Sequence, residues 1–112
     1  MLFFIPNIAI SKHSSKPILG GWTKINDNDL NSKEVLGVAN FAVNEHNKEE
    51  KTNLKFDKVI GGMKQVVTGV NYDLTIEATD KKRVAGSYIT LVYVDIKNKE
   101  TLISFNKIQQ NQ

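Results

Sequence analysis

Between residues 70 and 78 apolar and polar positions alternate without a break. Val70, Tyr72, Leu74, Ile76 and Ala78 fall on one face, and Asn71, Asp73, Thr75 and Glu77 on the other. A period of two is the mark of a strand with one face buried. Three other segments read as strands. In "TNLKFDKVI", residues 52–60, Leu54, Phe56 and Ile60 share a phase that Lys58 interrupts, which predicts a bulge. "YITLVYVDI", residues 88–96, is apolar on both faces and suits a central strand. "TLISFNKI" closes the set, and a short strand fits residues 22–25. The links "TDKKRVAGS" and "KNK" are polar, as hairpin loops should be.

The pattern changes period in "LNSKEVLGVANFAVNEHNK", residues 30–48. Val35, Val38, Ala39, Ala42, Val43 and His46 recur every three or four residues and predict one apolar helix face. Asn31 followed by Glu34 reads as a capping box, with Leu30 stapled onto Val35. Gly37 weakens a helix by about 1 kcal/mol relative to alanine, which predicts tight packing there. The helix is expected to stop near Asn47 and Lys48, because Glu49 and Glu50 oppose the C-terminal dipole. One amphipathic helix is the only cover available for one apolar sheet face. The expected architecture is therefore α+β: an antiparallel β-sheet of four to five strands wrapped around one long α-helix.

Composition narrows the function classes. A chain of 112 residues holds one domain and one modest core. The net charge of +3 is spread out, with Lys81-Lys82-Arg83 the one basic triplet, so a nucleic-acid partner is not expected. The chain has no cysteine, which excludes disulfides, thiolate metal sites and a Cys nucleophile. The opening "MLFFIPNIAI" is apolar but short and broken by Pro6. It fits a clipped signal sequence or a floppy tail and is too short to span a bilayer. Residues 1–19 thus read as a flexible tail or the remnant of a signal peptide, and 20–112 as the domain, starting in earnest at Trp22, whose ring calls for burial. The compartment stays open: secreted if the leader is real, cytoplasmic otherwise.

Catalytic chemistry is hard to find. His13 lies in the tail, and His46 on the apolar helix side reads as a packed residue rather than a base. Two such histidines without cysteine make no metal site, and neither a Walker loop, G-x-S-x-G nor H-E-x-x-H occurs. No enzyme, cofactor or metal is expected. What remains is apolar and oddly placed. In Gln65-Val66-Val67-Thr68-Gly69 the glycine suggests a turn, yet β-branched valines favour extended backbone. Periodicity alone leaves two readings: a hairpin tip, or one long strand kinked at Gly69.

"QVVTG" fits Q-x-V-x-G. With "VANFAVNEHN" on the helix and the glycine pair of "LGGW", it closely resembles the cystatins, in particular their plant branch, the phytocystatins. The likeness covers residues 19–105. It implies a reversible competitive inhibitor of papain-like cysteine proteases, in which three segments form a wedge that plugs the active-site cleft. Carried over, Gly20 and Gly21 are the hinge, with Ile18 and Leu19 before it in substrate-side subsites. Gln65, Val66, Val67, Thr68 and Gly69 form the first hairpin, lying over the catalytic cysteine without presenting a scissile carbonyl.

The third segment departs from that family. Phytocystatins carry Pro-Trp in the second hairpin, but here the equivalent place falls at Asp95, Ile96 and Lys97, and Trp22 is the chain's one tryptophan. Weaker or redirected inhibition is expected, since an indole buries more area than Ile96. The alternative is a cystatin-fold interaction protein that has lost inhibition. A monomer is expected, with a tendency to domain-swapped dimers if the valines strain the tip.

Overall fold

A computed structural model describes residues 21–109. In chain order they form β1 (Trp22–Lys24), a short 3-10 turn (Asp27–Asp29), α1 (Lys33–Glu50), β2 (Lys55–Val66), β3 (Val70–Thr79), β4 (Ala85–Val94) and β5 (Glu100–Lys107). The strands make one antiparallel sheet in sequence order. The helix lies across its inner face and touches β2, β3, β4 and β5. The expected α+β architecture is thus present, with β1 as the fifth strand.

The two periodic faces meet as their spacing requires. Val35, Val38, Ala39, Ala42 and Val43 are buried on the helix, and Tyr72, Leu74, Ile76 and Ala78 on β3. Ala39 and Ala42 let the helix settle closely onto the strands, and Leu74 and Ile76 are fully enclosed. Burying each large aliphatic side chain stabilises the fold by about 1.5–3 kcal/mol. His46 is half-buried and stacks on Phe105 of β5, with ring centroids 4.1 Å apart. That is the packed role its position suggested.

Several details differ from expectation. Ser32, not Asn31, caps the helix: its Oγ accepts from the Val35 N–H at 3.1 Å. Glu34 therefore joins no capping box and instead accepts a hydrogen bond from the Tyr72 hydroxyl on β3. Burial and then the Glu34 carboxylate hold that phenol well above its ordinary pKa. The helix also runs past Lys48 to Glu50, ending on Lys51 in the left-handed region at φ 58°. Asn47 explains the extension. Its side chain pairs with Leu54 through the Leu54 N–H (2.9 Å) and C=O (3.0 Å), clamping the last helical turn to the start of β2.

In β2 the register shifts twice, between Phe56 and Lys58 and between Val59 and Gly61. Val59 thereby becomes the buried residue and Ile60 turns outward, 45% exposed, rather than continuing the phase of Phe56. Trp22 is likewise not buried. Gly37 sits on the exposed helix side with nothing within 4 Å of an added Cβ, so it answers to no packing demand. Gly37→Ala is expected to stabilise the protein by about 1 kcal/mol. Denaturant unfolding of the two forms measures it, and a lower midpoint for the alanine form would refute it.

Candidate functional site

The hairpin question resolves at residues 65–69. β2 ends at Val66 and β3 begins at Val70, paired directly across from it, so residues 67–69 form a short turn rather than a kink. The Val67 N–H donates to the Gly69 carbonyl at 2.8 Å and closes the turn. Positive φ occurs at Lys51, Arg83 and Asn98 among the non-glycine described residues, not at the tip valines. Val66 keeps the strand geometry that a β-branched residue favours, and neither valine is forced into the left-handed region.

Pairing continues across the sheet from that turn. Val66 lies opposite Val70, Val70 opposite Val94, and Val94 opposite Glu100. Just beyond this row both turns project from the same end: residues 67–69, and residues 95–99 linking β4 to β5. β1 arrives at this end too, since Trp22 pairs with Gln65. Gly21 directly precedes Trp22 and so lies at this end as well. Of the residues expected in the site, Gly21, Gln65, Val66, Val67, Thr68, Gly69, Asp95, Ile96 and Lys97 come together here, whereas Leu19 and Gly20 lie outside the described residues.

The two turns are packed on one another at Gly69. A Cβ placed there would stand 2.2 Å from the Val94 carbonyl oxygen and 2.9 Å from both the Asp95 Cα and the Tyr93 hydroxyl. Glycine is required because a neighbouring backbone occupies the side-chain space. Around this contact two apolar side chains stand exposed among the polar Thr68, Lys97, Asn98 and Lys99. Val66 is 45% exposed and Ile96 71%. Behind the first turn the Asn71 amide donates to the Gln65 side chain at 2.9 Å, bracing β2 against β3. Asp73 lies between Met63 and Leu91 in register, and burial pushes its carboxyl up; burial does the same to Glu100 at the end of the row.

One neighbour was not foreseen in the sequence. Trp22 stands beside the tip on the first strand with 43% of its surface exposed. An indole left open next to a glycine is a contact in waiting, and its position directly after "GG" was the available signal. Among the described residues, no cluster of three or more His, Asp or Glu is placed to hold a metal, and no helix is long and apolar enough to cross a membrane.

Relatives share both the sequence and this framework. A family model described as an aspartic acid proteinase inhibitor matches residues 27–108. Cysteine proteinase inhibitor 1 of Actinidia chinensis var. chinensis is 47% identical over 66% of this chain and 61% of its own length. Cysteine proteinase inhibitor 5 of Arabidopsis thaliana is 37% identical over 67% and 60%. Over a longer span, putative cysteine proteinase inhibitor 7 of Oryza sativa subsp. japonica is 32% identical across 96% of this chain and 92% of its own. The chain belongs to the cystatins, in their plant branch. A salivary cystatin from the soft tick Ornithodoros moubata shares the fold, with a TM-score of 0.67 at 22% identity over 82% of this chain and 100% of that one. This plant cystatin spans about three fifths of the first two relatives' lengths. Those relatives are named as inhibitors, not enzymes.

Proposed function

We propose that this cystatin is a reversible, competitive inhibitor of papain-like cysteine proteases. The wedge consists of the Gly20–Gly21 segment, the first turn with Gln65 to Gly69, and the second turn with Asp95, Ile96 and Lys97, on a domain spanning 20–112 behind a tail of 1–19. The observation that carries the reading is the Gly69 contact, which joins the two turns into one projection beside the start of β1. The names of the plant relatives support the target class.

The physics is that of docking a rigid body. The tip backbone is held by β-pairing on both sides, so little conformational freedom is lost on binding. Val66 and Ile96 are apolar and exposed, and leaving water in a cleft is favourable by about 25 cal/mol per Å2. A turn that covers a nucleophile without offering a carbonyl along its line of attack blocks the cleft and survives. Titrating papain with the pure protein tests this. Inhibition that substrate relieves is expected; none at micromolar concentration would favour an interaction protein that does not inhibit.

A second reading comes from the matched family model, whose description names aspartic proteinases. A pepsin-type enzyme in the same panel separates the two, because inhibition of that enzyme alone would transfer the function to the second class.

Domain exchange stays within the proposal on a different ground from valine strain. Opening residues 67–69 lets β2 and β3 run on as one strand into a partner copy, with only the tip contacts given up. A gently heated, concentrated sample is expected to show a dimer on size exclusion. Monomer alone would refute it.

A further inference from the structure

The β4–β5 turn carries an aspartate where the family carries proline, and its geometry shows what that aspartate does. One Asp95 carboxylate oxygen accepts from the Lys97 N–H at 2.8 Å and from the Lys99 N–H at 2.9 Å. The Asp95 N–H donates to the Lys99 carbonyl at 3.0 Å, and the Asn98 N–H donates to the Asp95 carbonyl at 2.9 Å. Asn98 sits at φ 67°, a conformation that asparagine tolerates better than most residues. All of the turn's inward-facing donors are thus gathered on one residue.

The same turn is built a second time at the opposite end of the sheet. Asp80 accepts from the Lys82 N–H at 2.8 Å and the Val84 N–H at 3.0 Å, and its own N–H donates to the Val84 carbonyl at 3.0 Å. The Arg83 N–H donates to the Asp80 carbonyl at 2.9 Å, with Arg83 at φ 66°. Those backbone donors, led by Val84, hold the Asp80 carboxyl below its ordinary range. Two copies of one turn separate what the turn needs from what the end needs. The residue after each aspartate is unconstrained by the hydrogen bonds and points into water. At the far end it is Lys81; at the wedge end it is Ile96, the most exposed of the large hydrophobic residues described.

From this we infer that Asp95 is a positioning residue for inhibition: its carboxylate, in place of a proline ring, fixes the turn that holds Ile96 out as a compact aliphatic contact for an apolar patch on the rim of the protease cleft. The inference rests on the wedge reading proposed above. Ile96 takes no part in the turn's hydrogen bonds and is 71% exposed at the same end as Val66, so its side chain is available to a partner there. Held in one conformation, it docks without the ordering cost that a loose loop carries.

The test is a matched set of full-length variants: Asp95→Ala, Asp95→Asn, Asp80→Ala, Ile96→Ala and Asp95→Ala/Ile96→Ala. Each is measured for its inhibition constant against papain, its thermal midpoint and amide exchange at Lys97 and Lys99. Asp95→Ala is expected to weaken inhibition about tenfold and to speed exchange at both amides. Asp80→Ala should lower the midpoint comparably yet leave inhibition within about twofold. Asp95→Asn, which keeps an acceptor oxygen, should recover most of the loss, and the double variant should be no worse than Ile96→Ala alone. Equal losses for Asp95→Ala and Asp80→Ala, full additivity with Ile96→Ala, or unchanged amide exchange would each overturn the inference. A wild-type protein that does not inhibit would instead overturn the wedge reading, and the inference would fall with it; the exchange data would still say whether Asp95 holds the turn.

Discussion

Gly69→Ala is expected to weaken inhibition of papain-like proteases by about 100-fold while the helix and core remain folded. The added methyl cannot be absorbed by a flexible side chain, because the atom nearest to it is a backbone oxygen, Val94 O, at 2.2 Å. Ordinary contact needs a separation of about 3.4 Å or more, so the two turns must part by roughly 1 Å. They are fixed to each other by the β3–β4 pairing of Val70 with Val94, which limits where the movement can go. It goes into the tips, and the tips are the proposed contact surface. A loss of about 3 kcal/mol is usual for disrupting the centre of an interface and corresponds to roughly 150-fold in affinity. The control is built into the protein. The buried residues of α1 and β3 lie along the whole sheet and not at its tip, so far-ultraviolet circular dichroism should be unchanged. An inhibition constant within threefold of the parent would show that the turns can separate without harm and would remove the observation on which the wedge reading stands.

The elements legible in the sequence were those whose pattern is local. Val35 to Val43 and Val70 to Ala78 announce their faces by spacing alone, and both faces are buried where the spacing put them. The misreadings came from partners far away in sequence. Glu34 has the spacing of a capping residue, but Tyr72 claims its carboxylate from another strand, and Ser32 takes over the cap. Glu49 and Glu50 oppose the helix dipole, yet the Asn47 clamp on Leu54 holds the turn together. Ile60 follows an apolar phase that the first register shift reverses, because a bulge exchanges inside for outside within one residue. The site was legible through motif rather than physics. Periodicity left "QVVTG" undecided between tip and kink, and only pairing with β3 and β4 shows why its glycine is needed. The Asp95 turn could have been seen earlier. Asp80 and Asp95 each open a polar link, and an aspartate at the head of a turn caps the donors two and four residues on.

Ile96→Trp is expected to tighten inhibition about tenfold, and the Asp95 turn explains why the change should be made at one position only. Ile96 is 71% exposed at the head of its turn, so an indole there extends into water rather than into the core. The larger ring adds on the order of 80 Å2 of apolar surface to bury, worth about 2 kcal/mol. Ordering it costs roughly 0.5 kcal/mol, and the remainder is about a factor of ten in the inhibition constant. Introducing the family's proline as well is expected to reverse the gain. Proline at position 95 removes the carboxylate that gathers the Lys97 and Lys99 N–H groups, and it also removes the N–H that bonds the Lys99 carbonyl. Asp95→Pro/Ile96→Trp should therefore inhibit less well than Ile96→Trp and unfold at a lower temperature. Inhibition constants against several papain-like enzymes decide the matter. If the single tryptophan variant matches the parent on all of them, the second turn does not reach the protease.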